Sequence, residues 1–148
     1  MSKVFQFETP NESTGFLLWK VNNFWQREIK KSLSQFDLTH TQFVVLANTY
    51  YLGTEQESVT QMEIANQIGI DKMLTSNVLK ALLKKKLIKR EEHKIDTRAK
   101  VIYLTKSGQN ILKKAVKAVE DFDKSFFNKL VNSNKFNSEL LKLLKNKT

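Results

Sequence analysis

The chain contains no cysteine, one proline and four glycines in 148 residues. Without thiols there is no disulfide framework, no thiolate metal site and no thiol-based redox sensing. Four glycines leave little material for the loops that cradle phosphates, and no nucleophile elbow or metalloprotease motif occurs, so an enzyme is not expected. Histidine is as scarce. His40 and His93 fall in different elements with no close ligand cluster, and Glu91 and Glu92 beside His93 read as a solvated strand end, so neither metal nor cofactor is expected. Apolar runs are short, as at Phe16 to Trp19, against the roughly 20 residues that cross a bilayer. The first residues also lack the basic-then-apolar order of a signal peptide. The expectation is one domain over residues 1–148, cytoplasmic and without membrane contact.

What the chain does have is positive charge, +10 overall, and it is unevenly placed. Residues 1–70 hold 5 basic and 7 acidic side chains, residues 71–106 hold 11 and 4, and residues 107–148 hold 9 and 4. The net charge therefore runs −2, +7, +5 along the chain. A basic block of this kind suits a polyanion, because each neutralised phosphate releases condensed counterions. By itself it is equally compatible with a lysine-rich soluble surface.

Local signals divide the chain into helices and one hairpin. Thr9-Pro10-Asn11-Glu12 has capping-box spacing with proline at the first helical position, and apolar residues follow at Leu17, Val21, Phe24, Trp25 and Ile29. This predicts a first helix from about 9 to 34, with Phe16, Leu18 and Trp19 making its apolar surface broader than one core stripe requires. Thr39-His40-Thr41-Gln42 repeats the box, and a second helix is expected from Thr39 to Leu52, with Gly53 as a left-handed cap. Thr60-Gln61-Met62-Glu63 opens a short third helix, with Ile64, Ala65 and Ile68 inward and Gly69 as its stop; Asp71 then caps a fourth helix to about Lys85.

Two helices joined by a tight glycine-containing turn, the second strongly basic, make a helix-turn-helix arrangement. In the fourth helix Leu74, Val78, Leu79, Leu82 and Leu83 gather on one side at 100° per residue, and Met73, Ser76, Asn77, Lys80 and Lys84 fall opposite. That outer face carries donors and positive charge without an acid. Leu87 to His93 and Lys100 to Leu104 alternate as strands, and Lys94 to Ala99 forms the tip between them. A hairpin after a recognition-type helix is a wing, which brings Arg98 and Lys100 toward backbone phosphates or the minor groove. Asp96 acts here as a partner that orients basic side chains, since a carboxylate facing phosphate is unfavourable. A long amphipathic helix follows from Thr105 through Leu130, and a last one spans Phe136 to Leu144. Their apolar faces, with that of the first helix, exceed what one small domain covers, so a homodimer with interdigitated ends is expected.

The order of these elements and the segment DTRAKVIYLTKSG resemble the MarR family of bacterial winged-helix transcriptional regulators. Asp96 and Arg98 match the family's D-x-R, and Leu104, Thr105 and Gly108 match its L-T-x-x-G. LTHTQFVVL is similar to the second helix of the family and TQMEIANQIGIDKMLTSNVLKALLKKKLI to its helix-turn-helix. The resemblance runs from about Phe16 to Leu130. It implies a mainly α fold with a small β-hairpin wing, a DNA-binding lobe at about 39–104, and dimerisation helices at about 9–34 and 105–148. It further implies a ligand-responsive repressor that binds double-stranded DNA at a palindromic operator, with Ser76 and Asn77 at base-reading positions and Lys72 and Lys80 placed for phosphates or purines. Many members respond to small aromatic acids, and Trp19, His40 and Phe43 lie on segments that would border such a crevice. Where the family turns through glycine after the recognition helix this chain has Lys86, which must then adopt a left-handed conformation unless the turn differs. The competing expectation is a winged-helix module that docks a polypeptide without reading DNA; the acid-free outer face disfavours it. A second rival, the dimerisation module of a small-molecule methyltransferase, would need a catalytic domain that the sequence does not contain.

Overall fold

A computed structural model describes residues 3–145. Eight regular elements follow a short 3-10 turn at Pro10–Glu12: α1 (Thr14–Ser34), α2 (His40–Glu55), α3 (Gln61–Ile68), α4 (Lys72–Lys84), β1 (Ile88–Glu92), β2 (Lys100–Leu104), α5 (Lys106–Phe127) and α6 (Ser133–Lys145). None of the helices described is long and apolar enough to cross a membrane.

Helix starts fall where short polar side chains can take up orphan N–H groups. Thr39, Thr60, Asp71 and Thr105 all accept from the backbone N–H three residues on, at 2.7–3.2 Å. The first box differs from expectation. Thr9 and Glu12 do form it, but around the 3-10 turn, and Ser13 interrupts in extended geometry before capping α1 itself. The second helix also differs at its end. Gly53 lies inside α2, which continues to Glu55, because no clash or positive φ is needed there and Gln56 closes the helix instead. Gly69 does adopt the left-handed cap, with φ 80°.

The core is formed by Ile29 and Leu33 of α1, Val45 and Leu46 of α2, Ile64 of α3, Leu79 and Leu82 of α4, Ile102 of β2, and Leu112 and Ala115 of α5. β1 and β2 pair antiparallel from Ile88 opposite Leu104 to Glu92 opposite Lys100. The alternation expected of these strands does not set their burial. Leu87 and Ile88 are buried side by side, as are Val101 and Ile102, and the rest of β1 is exposed. A two-stranded ribbon that projects from the body buries its root and leaves both faces of its far end wet. The root is held by a bridge from Thr60 to Val101 and by the Ile102 N–H donating to the Val59 carbonyl at 2.8 Å.

Outside this core, apolar side chains stay uncovered within one chain. On α1 these include Leu18, Trp19, Val21 and Phe24, and on α6 Leu141, Leu143 and Leu144.

Candidate nucleic-acid interface

The interface begins with the turn between α3 and α4. Gly69 and Ile70 both donate to the Ala65 carbonyl, at 2.8 and 3.3 Å, and two residues later the Asp71 carboxylate accepts from Leu74 N–H at 2.7 Å. The linkage is too short for α4 to swing freely. It sets the helix with Lys72, Met73, Asn77, Lys80 and Lys84 exposed and Ser76 half-buried. Met73 is 76% exposed, an unusual position for a large apolar side chain without a partner.

One residue of the expected inner face is corrected. Leu74 is 41% exposed, while Thr75 is fully buried and its hydroxyl donates to the Asp71 carbonyl at 2.8 Å. Threonine can occupy a core site because the preceding turn of helix takes up its one hydroxyl proton. A reading that counts only apolar side chains misses it.

At the far end of α4, Lys86 adopts φ 61°. Its N–H donates to the Leu83 carbonyl at 2.9 Å and the N–H of Leu87 to the Leu82 carbonyl at 3.0 Å, the paired closure of a left-handed helix cap. Lysine therefore takes the conformation that glycine would adopt more cheaply.

Thr105 and Gly108 fasten the wing to α5. Thr105 N–H donates to the Leu87 carbonyl at 3.0 Å, and its hydroxyl donates to the Lys86 carbonyl at 2.8 Å while accepting from Gly108 N–H at 2.9 Å. A Cβ on Gly108 would stand 2.0 Å from the Leu87 carbonyl oxygen, so only glycine permits this approach.

The wing tip is tied internally. The Asp96 carboxylate accepts from Arg98 N–H at 3.1 Å and lies 3.6 Å from Arg98 Nε. The His93 Nδ1 accepts from the N–H groups of Ile95 and Asp96, each at 3.1 Å. Arg98 remains 94% exposed at its side chain, and Lys100 sits 3.8 Å from Glu92 across the ladder.

Between the wing and the start of α3 runs a groove of about 470 Å³, lined by Gln61, Met62, Lys72, Asp96, Arg98 and Lys100 among others. Four of the residues singled out in the sequence thus meet in one place: Lys72, Asp96, Arg98 and Lys100. Gln61 and Met62, at the first turn of α3, were not anticipated. The Thr60 capping box marked that turn, but nothing local showed that the wing would fold beside it.

Trp19, His40 and Phe43 do not share one cavity. Trp19 lines a depression of about 760 Å³ with Phe24, Arg27 and Phe126, and His40 lines another of about 670 Å³ with Arg27, Lys30 and Lys85. Phe43 is half-buried against the core. Burial holds the His40 pKa below its usual value, with Asp123 opposing. The imidazole meets Trp25 edge-on at 5.1 Å, and Trp25 Nε1 donates to Asp123 at 2.8 Å. Among the described residues no group of three His, Asp or Glu could hold a metal ion.

Comparison with known proteins places this geometry. The ArnR1-like winged-helix domain matches residues 34–122. The HTH-type transcriptional regulator YdcH of Bacillus subtilis, itself uncharacterised, is 39% identical over 140 residues, 95% of each chain. Among solved structures, the DNA complex of Staphylococcus aureus MepR superposes with a TM-score of 0.83 at 26% identity, covering 91% of this chain and 98% of that one. CouR of Rhodococcus jostii RHA1, bound to p-coumaroyl-CoA, shares the fold with a TM-score of 0.75 at 22% identity over 93% of each chain. The relatives are regulators rather than enzymes, the two-stranded wing and flanking helices are common to the group, and the chain belongs to the MarR family of winged-helix transcriptional regulators.

Proposed function

We propose that the protein binds double-stranded DNA as a homodimer at a palindromic operator and represses transcription until a small aromatic effector releases it. One observation carries this reading. The groove beside the wing gathers Lys72, Arg98 and Lys100 next to a helix whose exposed residues include no acid. Such a surface suits a sugar-phosphate strand, with the start of α3 contributing helix N-terminal N–H donors. In this reading α4 enters the major groove, Ser76 and Asn77 face base edges, Met73 contacts a thymine methyl or sugar, and Lys80 and Lys84 lie along the backbone. Asp96 orients Arg98 rather than meeting DNA.

The uncovered apolar faces of α1 and α6 support a homodimer, and the MepR complex supports DNA as the ligand. The aromatic acyl group on CouR supports an effector of that kind; Trp19, His40 and Phe43 are the candidates to meet it. An effector that favours one separation of the two α4 helices would weaken simultaneous fit to both half-sites.

Selection from genomic fragments at two salt concentrations tests this. If Lys72, Lys80, Lys84, Arg98 and Lys100 of both protomers meet phosphate, log K falls with log salt at a slope approaching about −9. Asparagine pairs bidentately with adenine, so the selected half-sites lean toward A·T at the Asn77 position. No binding to any duplex in dilute buffer refutes the reading and leaves a polypeptide-docking module in its place.

A further inference from the structure

Lys85 terminates α4, and its side chain does not join the exposed lysines on either side of it. It turns away from the outer face to the joint between α1 and α2. Its Nζ donates to the Asp37 carbonyl and, at 2.8 Å, to Gln42 Oε1, and lies 3.7 Å from the Asp37 carboxylate. An ammonium has three protons, and three acceptor groups surround this one. At 29% side-chain exposure it is poorly placed to reach a phosphate as well.

The joint is itself constrained. Asp37 has φ 54°, and the Asp37 N–H donates to the Ser34 carbonyl at 3.1 Å. Gln42 is buried, and its Oε1 also accepts from the Thr39 N–H at 3.2 Å, closing the α2 capping box. Lys85 is therefore bonded to the turn that ends α1 and to the side chain that starts α2. Open depressions of about 610 and 670 Å³ lie on its two sides, both bounded by Asp37 and Lys85. The contact crosses a gap that side-chain packing does not fill.

We infer that Lys85 is a positioning residue: it braces the end of the recognition helix against the α1–α2 joint and so fixes the separation of the two recognition helices in the dimer. The inference rests on the DNA-binding reading above. Two half-sites on a duplex are matched only when the two α4 helices stand at one spacing. Freed of the strut, each α4 end samples more positions, and binding loses affinity and spacing selectivity without losing a phosphate contact.

The test uses the full-length protein and duplexes in which the selected half-sites are moved apart or together by one and two base pairs. Lys85→Met is expected to weaken binding to the best spacing by about ten-fold, a typical coupling between sites. It should also flatten the preference among spacings and leave the salt slope unchanged. Lys85→Arg restores both, because guanidinium reaches the same acceptors, and Asp37→Asn has a smaller effect because the carbonyl remains. If Lys85→Met fails to fold, Asp37→Asn carries the spacing measurement: a smaller flattening supports the strut and an unchanged preference overturns it. A fall in the slope of about one unit per protomer makes Lys85 a phosphate ligand and overturns the inference. Unchanged affinity and spacing preference overturn it also. Amide exchange of the DNA-free protein separates this from failure of the functional reading. Thr39 and Leu87 should exchange faster in Lys85→Met than in wild type. If they do not, the strut is refuted even where wild type binds no DNA; if they do, only the functional reading has failed.

Discussion

Replacing Gly108 by alanine is expected to destabilise the protein, although alanine is the better helix former by about 1 kcal/mol. The new Cβ would meet the Leu87 oxygen at 2.0 Å and the Leu87 carbonyl carbon at 3.0 Å. Both are backbone atoms, so no rotamer change relieves the contact. Either α5 moves out or the Lys86–Leu87 peptide moves back, by about 1 Å or more to regain van der Waals separation. Each response strains the bonds from Thr105 N–H to Leu87 O and from the Thr105 hydroxyl to Lys86 O, 3.0 and 2.8 Å long. Overpacking costs about 1–3 kcal/mol and each lost hydrogen bond about 1 kcal/mol. Subtracting the helix gain leaves a net loss of about 2–4 kcal/mol, or roughly 5–15 °C in Tm for a chain of this size. Gly53→Ala is the control. Nothing lies within 4 Å of its added Cβ and the site is inside α2, so that variant should gain about 0.5–1 kcal/mol. Urea unfolding followed by far-ultraviolet circular dichroism reads both. A Gly108→Ala protein as stable as wild type would refute the close approach of wing and α5.

Three further outcomes are expected. Trp25→Phe keeps an aromatic ring beside His40 and Phe127 but removes the donor to Asp123; a loss of about 1 kcal/mol is expected in urea titrations, and Asp123→Asn should not add to it fully because both act on one bond. His40 is harder to protonate folded than unfolded, so the unfolded state takes up more protons as the pH drops below its ordinary value near 6.5. Its contribution is present above that pH and is lost as the pH falls through the lower folded value; Tm should decline over that window in wild type and less in His40→Gln, measured from pH 7.5 to 5. Arg98→Ala should weaken DNA binding about equally for all sequences and reduce the salt slope by about one unit per protomer, whereas Asn77→Ala should relax base preference at its position and leave the slope alone.

Much of the fold is written in short-range pattern. The boxes at Thr39 and Thr60, the cap at Asp71 and the stop at Gly69 each depend on side chains three or four residues apart, and all are found where their spacing puts them. The left-handed Lys86 was one of two outcomes the resemblance allowed, since a lysine stands where the family turns through glycine, and φ 61° shows that the turn is kept. The misreadings share one cause. Gly53 inside α2, Thr75 in the core and Ser13 interrupting the first helix all depend on which neighbour the rest of the chain brings up, and residue type alone does not report that.

The candidate site divides the same way. Helical spacing singles out Met73, Ser76, Asn77, Lys80 and Lys84 because all lie on one face of one element, while Lys72 and the Asp96–Arg98 pair were marked by the family resemblance. That the wing folds beside the first turn of α3, so that Gln61 and Met62 share a groove with Arg98, was not legible. Nor was the strut from Lys85, whose partners stand 43 and 48 residues away.

Sequence alone thus determined the helices, the hairpin and the basic outer face, since backbone capping and amphipathic periodicity act over a few residues, and the wing segment DTRAKVIYLTKSG carried the resemblance to the regulator family. Tertiary structure decided which carbonyl Gly108 may approach, which joint Lys85 braces and which cations converge, because those contacts exist only after segments distant in the chain have packed around a common core.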